Sequence, residues 1–182
     1  MKNIKISLSA KNYADALTQV AQDNIVSYEE IIRDLEIINT IISKSADLSE
    51  VLLNPTISED TKNSIIDEVF KNQINIKIID FLKILIDKKR FNELDTIIEA
   101  FKKELDKKNN IKRVEITSAV ELNESIKQKI TDKLENKLQK KVIPNWQLNT
   151  EIIGGLVIKI EDDVIDTSLK NKLENLSKNI SI

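Results

Sequence analysis

Apolar residues recur every three or four positions through the first hundred residues of this chain. Past Asn109-Asn110 the spacing changes. Ala10, Tyr13, Ala14, Leu17, Val20 and Ala21 fall at helical spacing behind Ser7 and Ser9, either of which can cap. Ser27-Tyr28-Glu29-Glu30 has the form of a capping box, with Val26 and Ile31 placed for a hydrophobic staple. The helix it opens carries Ile31, Leu35, Ile38 and Ile42 on one face. A short helix over 48–53 stops before Asn54-Pro55, because the residue before proline is pushed out of the α region. Ser58, followed by Glu59 and Asp60, opens a fourth helix with Ile65, Ile66, Val69 and Phe70 as its stripe. Ile74, Ile78, Phe81, Leu82, Leu85 and Ile86 mark a fifth, ending near Lys88-Lys89-Arg90. Leu94, Ile97, Ile98, Phe101 and Leu105 mark a sixth. Short helices on short loops predict a compact N-terminal six-helix bundle over 1–105.

Beyond it, Val114, Ile116, Ser118 and Val120 alternate with Glu115, Thr117 and Ala119, the period of a strand. Asn123 is placed to cap a helix carrying Ile126, Ile130, Leu134 and Leu138. Val142 to Leu148 reads as a second strand that Pro144 confines to an edge or a bulge. Ile152 to Ile160 reads as a third, and Glu161-Asp162-Asp163 turns it into Val164-Ile165 as a hairpin. A last helix starts near Asp166-Thr167-Ser168 and is expected to bury Leu169, Leu173 and Leu176. The fold class is therefore mostly α, with a small α+β C-terminal domain over 106–182. Gly154 and Gly155, the only two glycines, stand where the third strand run begins and are expected to serve backbone geometry or close packing.

Composition narrows the chemistry. With 182 residues and 41% hydrophobic content the chain suits one large domain or two small ones. No apolar run reaches the roughly 18 to 20 residues that span a bilayer. The first residues are too short and polar for a signal peptide and lack the Arg-rich character of a transit peptide. The chain has no Cys and no His, so disulfides, thiolate sites and the Ser-His-Asp or Cys-His arrangements are excluded within it. Two adjacent glycines cannot make a P-loop or a dinucleotide fingerprint. A charged fraction of 32% with a net charge of -2 disfavours a nucleic-acid face. Ile, Lys and Asn dominate over Val, Arg and Gly, as AT-rich coding would produce.

Four stretches then carry a resemblance. They are Asn12-Tyr13-Ala14-Asp15-Ala16-Leu17, Leu52-Leu53-Asn54-Pro55-Thr56-Ile57, Phe81 to Phe91 through Lys88-Lys89-Arg90, and Ile153-Gly154-Gly155-Leu156-Val157-Ile158 with Val164-Ile165-Asp166-Thr167-Ser168-Leu169. In order and along the whole chain they resemble the delta subunit of bacterial F-type ATP synthase, the equivalent of the mitochondrial oligomycin sensitivity-conferring protein. The last stretch is the most specific, with Gly154, Gly155, Asp166 and Ser168 as its structural signature. Asn149 stands where that family often has Asp, and Thr167 where it often has Gly; a β-branched Thr167 argues against a left-handed turn there. The resemblance implies a non-catalytic stator connector with no cofactor and no metal, peripheral on the cytoplasmic side of a bacterial inner membrane. Its helical bundle would grip N-terminal helices of the α subunits and its C-terminal domain the b subunits, without homo-oligomers. The alternative is a generic helical adaptor with an unrelated partner.

Within that frame Tyr13, Ala14, Ala16, Leu17, Ile78, Ile79, Leu82, Lys83 and Ile86 are the expected helix groove, between the first and fifth helices as the resemblance implies. Part of them is also expected in the core. Ala16 and Ile79 lie off the main apolar line of their helices, a wide arc that leaves surface for a partner. Asp162, Asp163 and Asp166 suggest turn and cap acceptors rather than cation ligands. Lys102, Lys103, Lys107, Lys108, Lys112 and Arg113 form a basic cluster, read first as a solvated face and second as contact with an acidic stalk helix. Trp146, the only tryptophan, suits either a core anchor or the stalk interface.

Overall fold

The computed structural model describes residues 6–180, and within the last helix the side chains of 169–173 and 176 only. The chain is mostly helical with a small four-stranded sheet. It divides into two compact units, Met1–Leu105 and Asp106–Ile182.

Helices fill the first unit: α1 (Leu8–Gln22), α2 (Tyr28–Lys44), α3 (Ala46–Leu53), α4 (Glu59–Phe70), α5 (Ile76–Asp87), a 3-10 turn at Phe91–Glu93, and α6, which runs Leu94–Lys108. Their starts follow the capping residues. The side chains of Ser7, Ser27, Ser45, Ser58 and Asn75 each accept a backbone N–H of the first turn they precede. Each such cap is worth about 1 kcal/mol. Ser45 ends α2 and caps α3, so α3 begins at Ala46, two residues before the position expected from the apolar spacing alone. Asn54, before Pro55, leaves the helix with an extended backbone. The apolar faces of all six helices meet in one core, where Ile31, Leu35, Ile66, Phe70, Ile78 and Phe101 lose essentially all exposure.

A fully buried charge lies inside that core. Asp34 on α2 is fully buried, and its carboxylate accepts the backbone N–H of Asn75 at 2.7 Å. The Arg33 guanidinium donates to the same carboxylate at 3.2 Å. Glu30, one turn earlier, accepts the Asn75 side-chain amide at 3.0 Å instead of closing the capping box on Ser27. Asn75 is itself the cap of α5, donating to α2 while accepting from Lys77. A buried carboxylate is tolerable only with such donors, and here they tie the middle of α2 to the start of α5.

The second unit contains β1 (Ile111–Ser118), α7 (Glu124–Leu138), β2 (Lys141–Leu148), a 3-10 turn at Thr150–Ile152, β3 (Leu156–Ile160), β4 (Asp163–Asp166) and α8 (Leu169–Ile180). The sheet order is β2-β1-β3-β4. β1 and β2 are parallel across the α7 crossover, and the other pairings are antiparallel. Pro144 lies on the edge strand β2, opposite Val114, where one flank needs no N–H donor. Ile116 pairs with Trp146 on one side and Ile158 on the other. The core is thin: Val114, Ile116, Leu134 and Val142 are buried, with Ile130, Leu138, Trp146 and Ile158 packed partly against them.

Three expectations fail in this unit. The strand expected from Ile152 starts only at Leu156, because Thr150–Ile152 coils into a 3-10 turn and Ile153 has φ 66° and ψ -42°. Val120 lies outside β1 and is exposed; the strand stops at Ser118, whose hydroxyl turns the chain by donating to the Val120 carbonyl at 2.7 Å. Leu169, Leu173 and Leu176 are not buried: they are 48%, 56% and 57% exposed. Helix α7 supplies the apolar side chains that complete the sheet's core, while α8 stands beside the Thr150–Ile152 turn with its leucine face uncovered among the described residues.

Replacing Asp34 by Ala removes the acceptor for a buried N–H and leaves that group without a partner, which costs roughly 1.5–3 kcal/mol. For a unit of this size that lowers the thermal midpoint by about 10 °C. Calorimetry should show the loss in the transition of the helical unit alone.

Candidate interaction surfaces

Helices α1 and α5 meet edge to face at Tyr13 and Phe81, whose ring centroids are 6.1 Å apart and inclined by 76°. This contact locates the expected groove, and the nine residues assigned to it divide around it. Ala14, Leu17, Ile78, Ile79, Leu82 and Ile86 are buried in the core. The wide apolar arc of α5 is thus absorbed by packing, with Ile79 as buried as Ile78. Tyr13 is half-buried and Ala16 exposed on the same edge of α1. Lys83 is half-buried and turned to α4, where its ammonium lies 2.7 Å from the Asp67 carboxylate. Three residues outside the nine assigned to the groove lie at this edge: Phe81 and half-buried Val20, both marked by helical spacing, and exposed Ile84, one turn from Phe81 and not marked by it. For Ile84 the available signal was the apolar count of α5, which exceeds what one buried stripe needs.

In the second unit the signature residues form one local lock. Gly155 has φ +84°, and a Cβ there would stand 2.6 Å from the Thr167 carbonyl oxygen. A Cβ on Gly154 would stand 2.8 Å from Cδ1 of Leu169. Glycine at 155 is therefore required twice, by conformation and by approach. The same contact is laced with hydrogen bonds. Leu169 N–H donates to the Gly154 carbonyl at 2.9 Å, and the Thr167 N–H and hydroxyl donate to the Leu156 carbonyl at 2.9 and 2.8 Å. The Asp166 carboxylate accepts the Ser168 N–H at 2.8 Å, and buried Ser168 caps α8 by accepting the Asn171 N–H at 3.1 Å. Hydrogen bonds from the Ser168 hydroxyl and then its N–H hold Asp166 below its ordinary pKa of 3.8.

The remaining candidates are ordinary surface. Lys102 pairs with Glu36 at 3.2 Å, Lys112 with Glu161 at 2.8 Å, and Arg113 grips Asp106 through two nitrogens at 2.6 and 3.0 Å. The basic cluster is thus interleaved with carboxylates, and exposed pairs of this kind contribute little each. Asp162 and Asp163 are exposed at the hairpin, where Glu161 takes the left-handed conformation. Trp146 is half-buried against the core of the second unit. Among the described residues no cluster of three or more carboxylates is set to hold a metal, and no helix is long and apolar enough to cross a membrane.

Both surfaces and the lock fall within a stretch that known proteins share. The family model described as ATP synthase delta (OSCP) subunit matches residues 10–180. This chain belongs to that family. The ATP synthase subunit delta of Clostridium botulinum (strain Loch Maree / Type A3) is 33% identical over 168 residues, 92% of this chain and 93% of that protein. The Chlorobium limicola subunit is 35% identical over 171 residues, 94% of each. A chain from the cryo-EM structure of the Toxoplasma gondii mitochondrial ATP synthase hexamer has the same fold, with a TM-score of 0.65 at 19% identity over 97% of this chain and 98% of that one. As a delta (OSCP) subunit, the chain is a non-catalytic structural component of the peripheral stalk of F-type ATP synthase, and it serves ATP synthesis and ion transport through the complex. Nothing in these comparisons supports an unrelated adaptor.

The lock accounts for one departure of this delta chain from its family pattern. Thr167 is not among the residues with positive φ; it stays in ordinary backbone and adds a hydroxyl bond to β3. Gly155→Ala is expected to destabilise the second unit by more than 1 kcal/mol, since both its φ and a backbone oxygen oppose the methyl group. Gly154→Ala should cost less, because only a leucine side-chain tip must move. Denaturant unfolding of the two variants should rank them in that order. A second expectation concerns pH. A carboxyl whose folded pKa is depressed contributes stability above its unfolded value near 3.8, and that contribution is lost as pH falls through the folded value. Asp166→Asn should therefore flatten the acid limb of the unfolding profile below about pH 4, read by circular dichroism.

Proposed function

We propose that this chain is the connector between the catalytic head and the peripheral stalk of its ATP synthase. In this reading 1–105 is a six-helix bundle that binds amphipathic N-terminal helices of the α subunits. The unit over 106–182 holds the C-terminal ends of the b subunits, so the head cannot turn with the rotor and proton flow is coupled to ATP synthesis. The protein would sit peripherally on the cytoplasmic side of a bacterial inner membrane. The observation that carries the reading is the family match, which runs through both units.

Two further features support it. Each unit keeps large apolar side chains exposed among its described residues. On the helical unit the proposed surface is the edge of the Tyr13–Phe81 contact, made by half-buried Tyr13 and Val20 with exposed Ala16 and Ile84. Behind it Ala14, Leu17, Ile78, Ile79, Leu82 and Ile86 form a rigid floor. A small residue such as Ala16 lets a partner helix approach closely, and the flanking apolar residues supply the burial. A groove built on packed helices is preorganised, which limits the entropy lost on binding. Lys83, held by Asp67, belongs to the α4 side of the proposed surface.

Titration of the full chain with a peptide copying the N-terminus of the cognate α subunit tests this assignment. Ala16→Arg and Ile84→Asp alter exposed positions, so the fold should survive them. Each is expected to weaken peptide binding at least tenfold, about 1.4 kcal/mol, and to uncouple ATP hydrolysis from proton pumping in the assembled enzyme. Unchanged peptide affinity in both variants would place the α-subunit site elsewhere.

A further inference from the structure

Helix α1 is one wall of the surface proposed above, and its own packing holds it weakly. Its buried side chains are Ala10, Ala14, Leu17 and Ala21, mostly single methyl groups. The opposite wall, α5, buries Ile78, Ile79, Phe81, Leu82, Leu85 and Ile86. Burial stabilises in proportion to apolar area, so an alanine stripe fixes a helix far less firmly than a stripe of isoleucine and leucine. The first turn of α1 also carries no acidic residue, whereas those of α2, α3, α4 and α6 do. An anion reaches it instead from 86 positions further on. Glu93, in the 3-10 turn after α5, accepts the Ser7 hydroxyl at 2.8 Å through Oε2. Ser7 meanwhile caps α1 by accepting the Ala10 N–H at 3.0 Å. A carboxylate at that end also complements the helix dipole.

The same carboxylate is tied to the end of α5. Its Oε1 accepts from the Arg90 guanidinium. Arg90 is also where α5 is closed off. Its N–H donates to the Leu85 carbonyl at 2.8 Å, the Lys89 N–H donates to the Ile86 carbonyl at 2.9 Å, and Lys89 has φ 56°. These are the bonds of a Schellman motif. A continuous chain of bonds therefore runs from the last turn of α5 through Arg90 and Glu93 to the first turn of α1. The Glu93 side chain is 15% exposed. Hydrogen bonds from Ser7 and then Arg90, with Ser9 adding, hold its carboxyl below the ordinary value of 4.5 against the opposing effect of burial. Among the described residues, no other side chain outside α1 bonds a polar side chain of that helix or its cap.

We propose that Glu93 is the positioning residue of the α1–α5 surface: it fixes the start of α1 against the end of α5 and so sets the spacing at which a partner helix meets the two walls. Tyr13 and Phe81 meet midway along those walls. One ring contact does not by itself fix the tilt of a helix packed through alanines; a second fixed point at Ser7 does. A wall held in the binding geometry before the partner arrives loses little freedom on binding. Glu93 faces Ser7 and Arg90 and acts through α1, without touching the partner. The proposal rests on the reading that this surface binds α-subunit helices, and it identifies what holds the surface in shape.

The test uses the full chain and the peptide copying the N-terminus of the cognate α subunit. Glu93→Ala should raise the peptide Kd about tenfold, the loss that follows when about a tenth of the molecules hold the binding geometry. Amide exchange in the first two turns of α1 should quicken in the free variant, and exchange in α2 should not. Because Arg90 acts through Glu93, Arg90→Ala should cost no further affinity on the Glu93→Ala background. The chain contains no native cysteine. Leu8→Cys and Asn92→Cys, both at exposed positions, can therefore be joined by a short bismaleimide in the Glu93→Ala chain. That tie should restore the affinity of the unaltered chain, which a lost direct contact would not allow. If Glu93→Ala unfolds the helical unit, Glu93→Gln keeps the volume and one acceptor and should show the same recovery by the tie. Affinity that the tie fails to restore overturns the proposal. Unchanged affinity in Glu93→Ala, with binding still lost in Ala16→Arg, overturns the positioning role and leaves the α-subunit reading standing. Absence of peptide binding by the unaltered chain overturns both.

Discussion

The approach of the Gly155 backbone to the Thr167 carbonyl fixes most of what the C-terminal unit can do. A methyl group at Gly155 would sit 2.6 Å from that oxygen, so the chain entering β3 and the chain leaving β4 can close only over a glycine. Once they close, Leu156 and Thr167 exchange hydrogen bonds, Asp166 and Ser168 start α8, and Leu169 is pinned to Gly154. The direction of α8 is then set by covalent geometry and hydrogen bonds, not by a hydrophobic layer. That is why the helix can keep its leucines exposed without losing its place.

The helical unit is organised by the opposite balance. Its six apolar faces close on one another, and the fully buried Asp34 fixes α2 against the cap of α5. A core of this kind transmits load: packed interiors have low compressibility, and their side chains keep single arrangements. The C-terminal unit has four buried apolar side chains in its central cluster, and most large exposed apolar groups among the described residues belong to it. The two units are thus built differently, one closed by packing of helix faces and the other by hydrogen bonds around a thin core.

How much of this was legible depended on whether local chemistry or remote packing decided the matter. Helix starts were readable because serine and asparagine caps act within three residues, as at Ser27, Ser58 and Asn123. The Pro144 edge position was readable because a missing donor forbids a central strand. The start of β3 was misread. Ile152-Ile153 is apolar and β-branched, and propensity favours a strand there, but the closure over Gly155 forces a turn first. Burial of α8 was misread for a related reason. An amphipathic stripe states that a face will be covered and does not state by which chain. On α5 the same ambiguity ran the other way, since Ile79 and Ile86, expected at a partner surface, are consumed by the core.

A connector under torque must resist displacement without catalysing anything, and the energetics of that task favour apolar contact over charge. Exposed ion pairs such as Lys112–Glu161 are screened within about 8–10 Å at cellular salt and reform as easily as they break. Apolar burial is neither screened nor directional, and several contacts released together must all be lost before a partner slides.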